Sequence, residues 1–427
     1  MPLFSSLQNI RKSIVVRSIG IFTFTNFFSK GISFLLIPIF TNPRFLTPAD
    51  NGFLSIFSST LIFLVPAITL GMTQSAIADF HKKPKEEFAK GFTTSFAIAA
   101  IMTLVLIAVL FLAKDFLNTK YGFPSSFIYL MPALAFLTFS GEQFIVLLRN
   151  KNDVKLFAAA GLSETFIEYT LSVILIVVFF YGWIGRVWGI AISLIAVNIF
   201  AIIYYVKNKY LLLDISKSQI WEEVKFGIPV LLFQLCVSAI NFSDKLLLGA
   251  FFVAKKADIG IYSIAFLMGS VVGTMVQSIL LYFQPSLYRQ LKNDNYTLAI
   301  KKDFYRYLKI LTLATVIIIV GGFFVYQFLI NKIYLTGITY FFIIALSSYI
   351  WGISYYFFMF LLFHKQKRKI LAQSLISLTT TVLINIVLIK KYFIMGAAWG
   401  NLVNTLIFSL LTILFTKNTI KEIFANR

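Results

Sequence analysis

Twelve runs of about 20 predominantly apolar residues follow one another along the chain, and no other feature limits its fold as tightly. About 20 residues at 1.5 Å each cross the ~30 Å hydrocarbon core of a bilayer as a helix. No water is present there to satisfy the backbone, so a helix bonded within itself is the form such a run can take. The first six runs lie roughly at 18–40, 51–72, 91–113, 125–148, 156–181 and 187–206. The second six lie roughly at 226–252, 259–284, 306–330, 337–363, 370–389 and 395–416. Only 13% of the residues are charged, against roughly 25% in soluble domains, too few to cover a water-soluble globule. The expected fold is all-α: a polytopic membrane protein with 12 transmembrane helices.

The net charge of +21 invites a nucleic-acid reading, but the cations sit in short clusters between apolar runs and form no basic domain. Orientation in the bilayer explains them better. With the N-terminus in the cytoplasm, the inside segments hold 27 of the 38 Lys and Arg residues and the outside loops hold nine. A threefold bias that alternates correctly along the chain places both termini in the cytoplasm. The single cysteine, Cys236, cannot form an intrachain disulfide and is expected as a small packing residue. No cleavable signal peptide is expected, and His81 and His364 fall in cytoplasmic loops.

The chain divides into an N-terminal six-helix half (1–206), a cytoplasmic amphipathic linker (207–225) and a C-terminal six-helix half (226–427). Asp50-Asn-Gly52-Phe-Leu-Ser55-Ile56 opens the second run, and Asp258-Ile-Gly260-Ile-Tyr-Ser263-Ile264 opens the eighth. Each half has an even number of runs, so the halves are expected as parallel repeats about a pseudo-twofold axis along the membrane normal. Such repeats build a central cavity suited to alternating access.

Polar residues inside the runs are the candidates for chemistry. Thr23, Asn26, Lys30 and Ser33 share one helical face, as do Gln234, Ser238, Asn241 and Lys245. Asn26, Lys30, Gln234, Asn241, Asp244 and Lys245 are the candidate cavity residues, because charge inside a membrane is costly and marks function. Lys30 and Lys245 suit an anionic headgroup such as a diphosphate; the plainer expectation for Lys245 is that it snorkels to the outer interface. Asp244 points about 100° away from Lys245 and is expected to reach Lys30 across the cleft. Glu142, Glu164 and Glu168 are candidate ion-coupling acids, since neighbouring carboxylates can exchange H⁺ or bind Na⁺. Their structural alternative is pairing with Arg149 or Lys155. Pro66, Pro132 and Pro229 kink their helices, and Asn401 and Asn404 stitch helices together. No hydrolase triad, phosphate loop, metal-ligand cluster or cofactor motif is present, so neither an enzyme nor a resident cofactor is expected.

Two stretches resemble the polysaccharide-export, Wzx-type O-antigen flippases of the multidrug/oligosaccharidyl-lipid/polysaccharide exporter superfamily. The first is LLIPIFTNPRFLTPADNGFLSIFSS (35–59), similar to the family pattern P-x-x-T-R-x-L-x-P-x-D-Y-G, with Asn42 and Pro43 as an apparent insertion and Asn51 in place of Tyr. The second, from Lys225 to Phe266, looks like F-G-x-P … S-D-[RK] … G-x-Y-[SG]-x-A. The resemblance implies a bacterial inner-membrane flippase that carries an oligosaccharide linked to undecaprenyl diphosphate to the outer leaflet, coupled to an H⁺ or Na⁺ gradient. Membrane lipids and a polysaccharide polymerase are the implied partners, and nucleic acid is not. A drug/cation antiporter of the same superfamily is the alternative. A membrane polymerase or ligase fits less well, because every outer loop is short.

Overall fold

The computed structural model describes residues 25, 28, 31–72, 80, 83–212, 217–291, 297–364 and 366–425. Among them the regular structure is helical throughout. In chain order the α-helices are α1 (Ile37–Phe40), α2 (Pro48–Thr69), α3 (Lys85–Leu112), α4 (Lys114–Tyr121), α5 (Ser125–Asn150) and α6 (Val154–Val173). They continue with α7 (Gly182–Lys207), α8 (Lys217–Phe251), α9 (Lys256–Gln290), α10 (Thr297–Phe328), α11 (Ile338–Phe363) and α12 (Lys367–Ala425). Among the described residues, ten stretches are long and apolar enough to cross a membrane. Of the run expected at 18–40, residues 18–24, 26, 27, 29 and 30 lie outside the described residues.

The longest helix carries two of the expected runs. α12 has 59 residues and is broken at Phe393, whose φ of 54° and ψ of −125° are not helical. Across that break Gln373 Nε2 donates to Thr412 Oγ1 at 2.6 Å and Asn404 Nδ2 to Asn385 Oδ1 at 3.0 Å. Residues 373 and 412 would lie about 58 Å apart on one straight helix, so 367–392 and 394–425 are antiparallel arms of a hairpin. Of the expected linker at 207–225, residues 217–225 are the first turns of α8. α8 and α9 have 35 residues each, about 52 Å, and so overrun the ~30 Å core. Lys217, Lys225 and Arg289 sit on the overhangs.

Two compact units are distinguished by their contacts: Met1–Phe40, Thr60–Thr119 and Phe123–Leu231 in the first, and Thr41–Ser59, Lys120–Gly122 and Leu232–Arg427 in the second. In the first unit Phe88, Phe92, Phe144, Phe157, Tyr205 and Tyr210 form a buried aromatic core. Lipid tails are as apolar as these rings, so their contribution is dispersion and shape. Polar bonds add direction: Tyr205 donates to the carbonyl of Ser140 at 3.0 Å, and Asn198 Nδ2 to that of Leu137 at 2.9 Å. On α3, Ile101, Leu104, Val105, Val109, Phe111 and Leu112 are exposed, a face suited to acyl chains.

In the second unit Cys236, Ile240, Phe358, Leu361 and Phe408 pack together. A buried polar seam runs beside them. Asn385 Nδ2 donates to Ser243 Oγ at 2.9 Å, Asn401 Nδ2 to the Ile240 carbonyl at 3.3 Å, and Ser347 Oγ to Asn401 Oδ1 at 2.7 Å. Asn401 and Asn404 thus do stitch helices, as their place in an apolar run suggests. At the start of α2, Thr47 Oγ1 accepts from the backbone of Asp50 while Asp50 Oδ2 accepts from that of Thr47 at 2.8 Å. This reciprocal cap fixes the helix's first residues at the repeated motif.

Candidate functional site

The 3₁₀ turn Val253–Lys255 joins α8 to α9 so tightly that the two helices must run antiparallel as neighbours. Lys245 lies seven residues before Phe252, and Tyr262 seven residues after Lys255, so both sit about 10 Å below the turn. Tyr262 and Phe266 are four apart and share a face of α9. The consequence is a charged cluster within the second unit.

Lys245 Nζ lies 3.2 Å from Asp244 Oδ1 and donates to the Asn241 carbonyl at 3.2 Å. It also stands over the Phe266 ring, 3.1 Å from the centroid. Those three partners use all three ammonium donors. Asp244 Oδ1 also accepts from the Lys245 backbone at 2.8 Å, and Asp244 Oδ2 accepts from the Tyr262 hydroxyl. Lys245 is 4% exposed and Asp244 1%. The side chains therefore meet despite leaving the helix about 100° apart, because a four-carbon stem folds back across one residue. Snorkelling to an outer interface does not occur: the ammonium finds an anion, a carbonyl and a π face close by. Asn241 Nδ2 back-bonds to the Val237 carbonyl at 2.8 Å, and Gln234 is half-buried one turn before Ser238. Asn26 and Lys30 lie outside the described residues, so the expected pairing of Lys30 with Asp244 does too.

A second cluster belongs to the first unit. α6 ends in a five-residue π segment, Ile174–Val178, and the chain turns back into α7. Gly189 of α7 lies so close to Ser172 that a Cβ there would meet the serine's side chain and backbone. That close approach brings Arg186, one turn earlier, against α6. Arg186 Nη1 donates to Ser172 Oγ at 2.8 Å and Nη2 donates to Glu168. The guanidinium also covers the rings of Tyr169 at 4.6 Å and Phe40 at 5.3 Å. Tyr169 in turn hydrogen-bonds Ser33. Among the described residues the ion-pair partner of Glu168 is thus Arg186, neither Arg149 nor Lys155. Glu164 lies one turn from Glu168 on the same helix. Glu142, on α5, is exposed.

Arg186 is the residue that sequence reasoning missed, since a cation four residues into α7 reads as an outer-loop charge. Its signal was Gly185-x-x-x-Gly189, a small face that lets two membrane helices touch, with Glu168 and Ser172 on the preceding run. Among the described residues no group of His, Cys, Asp and Glu could hold a metal ion.

A family model described as "Polysaccharide biosynthesis protein" matches residues 15–288, which include both sequence motifs. No curated protein matches the chain. Among solved structures, the lipid II flippase MurJ in an inward closed conformation is similar with a TM-score of 0.73 and 17% identity, covering 93% of this chain and 87% of that one. An inward-facing multidrug resistance MATE family transporter of the MOP superfamily has a TM-score of 0.68 and 13% identity, covering 92% and 99%. The MATE multidrug transporter DinF-BH has a TM-score of 0.63 and 13% identity, covering 97% and 96%. At these identities the likeness is one of fold. The match over residues 15–288, on an all-helical multi-pass architecture shared with MOP-superfamily proteins, shows that the chain belongs to the polysaccharide biosynthesis protein family.

Proposed function

We propose that the chain is a flippase that moves an undecaprenyl-diphosphate-linked oligosaccharide, an O-antigen or capsule repeat unit, across the bacterial inner membrane. Membership of the polysaccharide biosynthesis family carries this reading. The fold shared with a lipid II flippase and with multidrug transporters supports transport in preference to catalysis. Alternating access of a parallel-repeat bundle would expose the cavity first to the cytoplasm and then outside. Asn26, Lys30, Gln234, Asn241, Asp244 and Lys245 are the proposed cavity residues. In the present conformation Lys245 is held by Asp244, Asn241 and Phe266, so it can meet a diphosphate only when that pair opens.

Coupling is assigned to Glu142, Glu164 and Glu168, with H⁺ or Na⁺ as the ion. Arg186 holds Glu168, and Glu164 stands one turn away from it on the same helix. The flipped product would then be taken up by a polysaccharide polymerase. Deletion should leave lipid-linked oligosaccharide in the cytoplasmic leaflet and remove it from the surface polymer. Unchanged surface polysaccharide, together with new sensitivity to cationic drugs, would establish the antiporter reading instead.

A further inference from the structure

A cavity of about 250 Å³ opens where the end of α11 meets both arms of α12, all within the second unit. Its polar lining is His364, Gln366, Lys369, Lys417 and Asn418 with the threonines 416 and 419. None of the described lining residues is acidic; the nearest acid along the chain, Glu422, lies one turn beyond Asn418 and is exposed. Lys369 Nζ donates to the Phe415 carbonyl at 3.2 Å. That bond ties the two arms together and leaves two ammonium donors for a ligand.

The backbone adds to this. The first intrahelical bond of α12 runs from Ile370 N to Gln366 O at 3.1 Å. The N–H groups of residues 367–369 therefore precede the ladder at the positive end of a helix dipole. The side-chain amide of Gln366 has a buried oxygen with no partner among the described residues, and turning that amide over presents its NH₂ group. Thr416 spends its hydroxyl proton on the Thr412 carbonyl at 2.7 Å, and the remaining two lysines, histidine, two amides and Thr419 hydroxyl, with no acid among them, suit an anion with several oxygens. The volume is below the usual range for drug-sized ligands and fits one tetrahedral headgroup.

We infer that this cavity binds a phosphate ester, supplied by the headgroup of an anionic glycerophospholipid in the adjacent leaflet. Basic pockets between membrane helices on the cytoplasmic side take such headgroups, and the distribution of Lys and Arg puts this end of the helices on that side. The site is separate from the proposed flippase cavity. It rests on the same orientation but on no transport step. A soluble phosphate compound would satisfy the same donors, so the experiment includes both sources.

The full chain, purified in detergent, is examined by native mass spectrometry with phosphatidylglycerol and with phosphatidylethanolamine. The variants are Lys369→Gln/Lys417→Gln, Lys417→Gln alone, and Lys390→Gln/Lys391→Gln as a charge-matched control. Lys417→Gln alone spares the arm-to-arm tether of Lys369. The expected result is selective retention of phosphatidylglycerol that falls roughly tenfold in the cavity double variant, falls less in the single variant, and is unchanged in the control. In parallel, inorganic phosphate is titrated against thermal unfolding. If it protects the wild type and not the cavity variants while lipid retention is equal, the phosphate site stands and its ligand is soluble. Equal lipid retention in every protein, with no protection by phosphate, overturns the inference. Neither readout requires flipping, so failure here leaves the proposed function standing, and loss of that function leaves this site standing.

Discussion

Lys245 and Asp244 share a site from which water is excluded, and each satisfies charge that the other would leave exposed to a poor solvent. Removing one partner of a buried pair costs about 3–5 kcal/mol, whereas replacing both by neutral groups of similar volume is often close to neutral. Lys245→Ala should therefore lower stability in detergent by that amount, and Lys245→Met with Asp244→Asn should recover most of it. A double variant as unstable as the single would show that the pair's charges are not what holds this cluster. Arg186 makes a different demand, because its planar fork bonds Ser172 and Glu168 while stacking on Tyr169. Lysine is a point charge without that geometry. Arg186→Lys should thus lose thermal stability nearly as far as Arg186→Gln, on the order of 1–3 kcal/mol; full stability in the lysine variant would refute a role for the fork. At this scale the sequence was a partial guide. The helical wheel placed Glu164 and Glu168 together correctly, since α-carbon direction governs acids with short side chains. It separated Asp244 from Lys245, because a wheel records where a side chain starts and not how far lysine reaches.

Among the helices, the crossing of α2 and α9 is where the repeated motif acquires a physical meaning. A Cβ on Gly52 would collide with the Lys256 carbonyl, and one on Gly260 with the Pro48 carbonyl and the Gly52 backbone. The third residue of each copy, Asp-x-Gly, is therefore a contact point between the helices that the two copies open. Neither backbone can give way without moving its helix, so Gly52→Ala and Gly260→Ala should each cost about 1–3 kcal/mol through overpacking. Gly321, with nothing near its would-be Cβ, is the control, and Gly321→Ala should be neutral or slightly stabilising. The double variant should cost less than the sum of the singles, because one displacement relieves both clashes. Additive losses would mean that the two glycines do not touch. The runs themselves were legible because length and apolarity are local properties. Arg44, whose backbone N–H bonds Asn42 Oδ1 at 3.0 Å, shows that the apparent two-residue insertion is a local turn ahead of the capped helix. What no local property revealed was the reversal at Phe393 as a single residue. A side chain in a conformation rare for anything but glycine is held there by Phe252, 4.6 Å away between ring centroids, and by the Lys255 ammonium at 4.6 Å.

At the scale of the molecule, contact units and sequence halves are not the same objects. Thr41–Ser59 packs with Leu232–Arg427, and the repeated motif on which the expected halves rest could not reveal this, since a repeated motif reports likeness of two segments and not their neighbours. Orientation, by contrast, is an expectation from charge alone, through the 27 to nine division of Lys and Arg between alternate ends of the helices. It can be tested without disturbing the fold, because the chain has one cysteine and that residue is buried. In a Cys236→Ala background, Thr119→Cys and Lys390→Cys report one side, and Lys302→Cys reports the other; all three positions are on helices and none lines a charged cluster. A membrane-impermeant maleimide on intact cells should label Thr119→Cys and Lys390→Cys, and should reach Lys302→Cys only after permeabilisation. Lys390 is the informative site, since it adjoins the reversal of α12 while Lys369 and Lys417 stand at the far ends of its arms. Labelling at Lys390→Cys in intact cells places the basic cavity in the cytoplasmic leaflet and the α12 reversal outside. The opposite pattern would invert the topology and with it the direction assigned to transport.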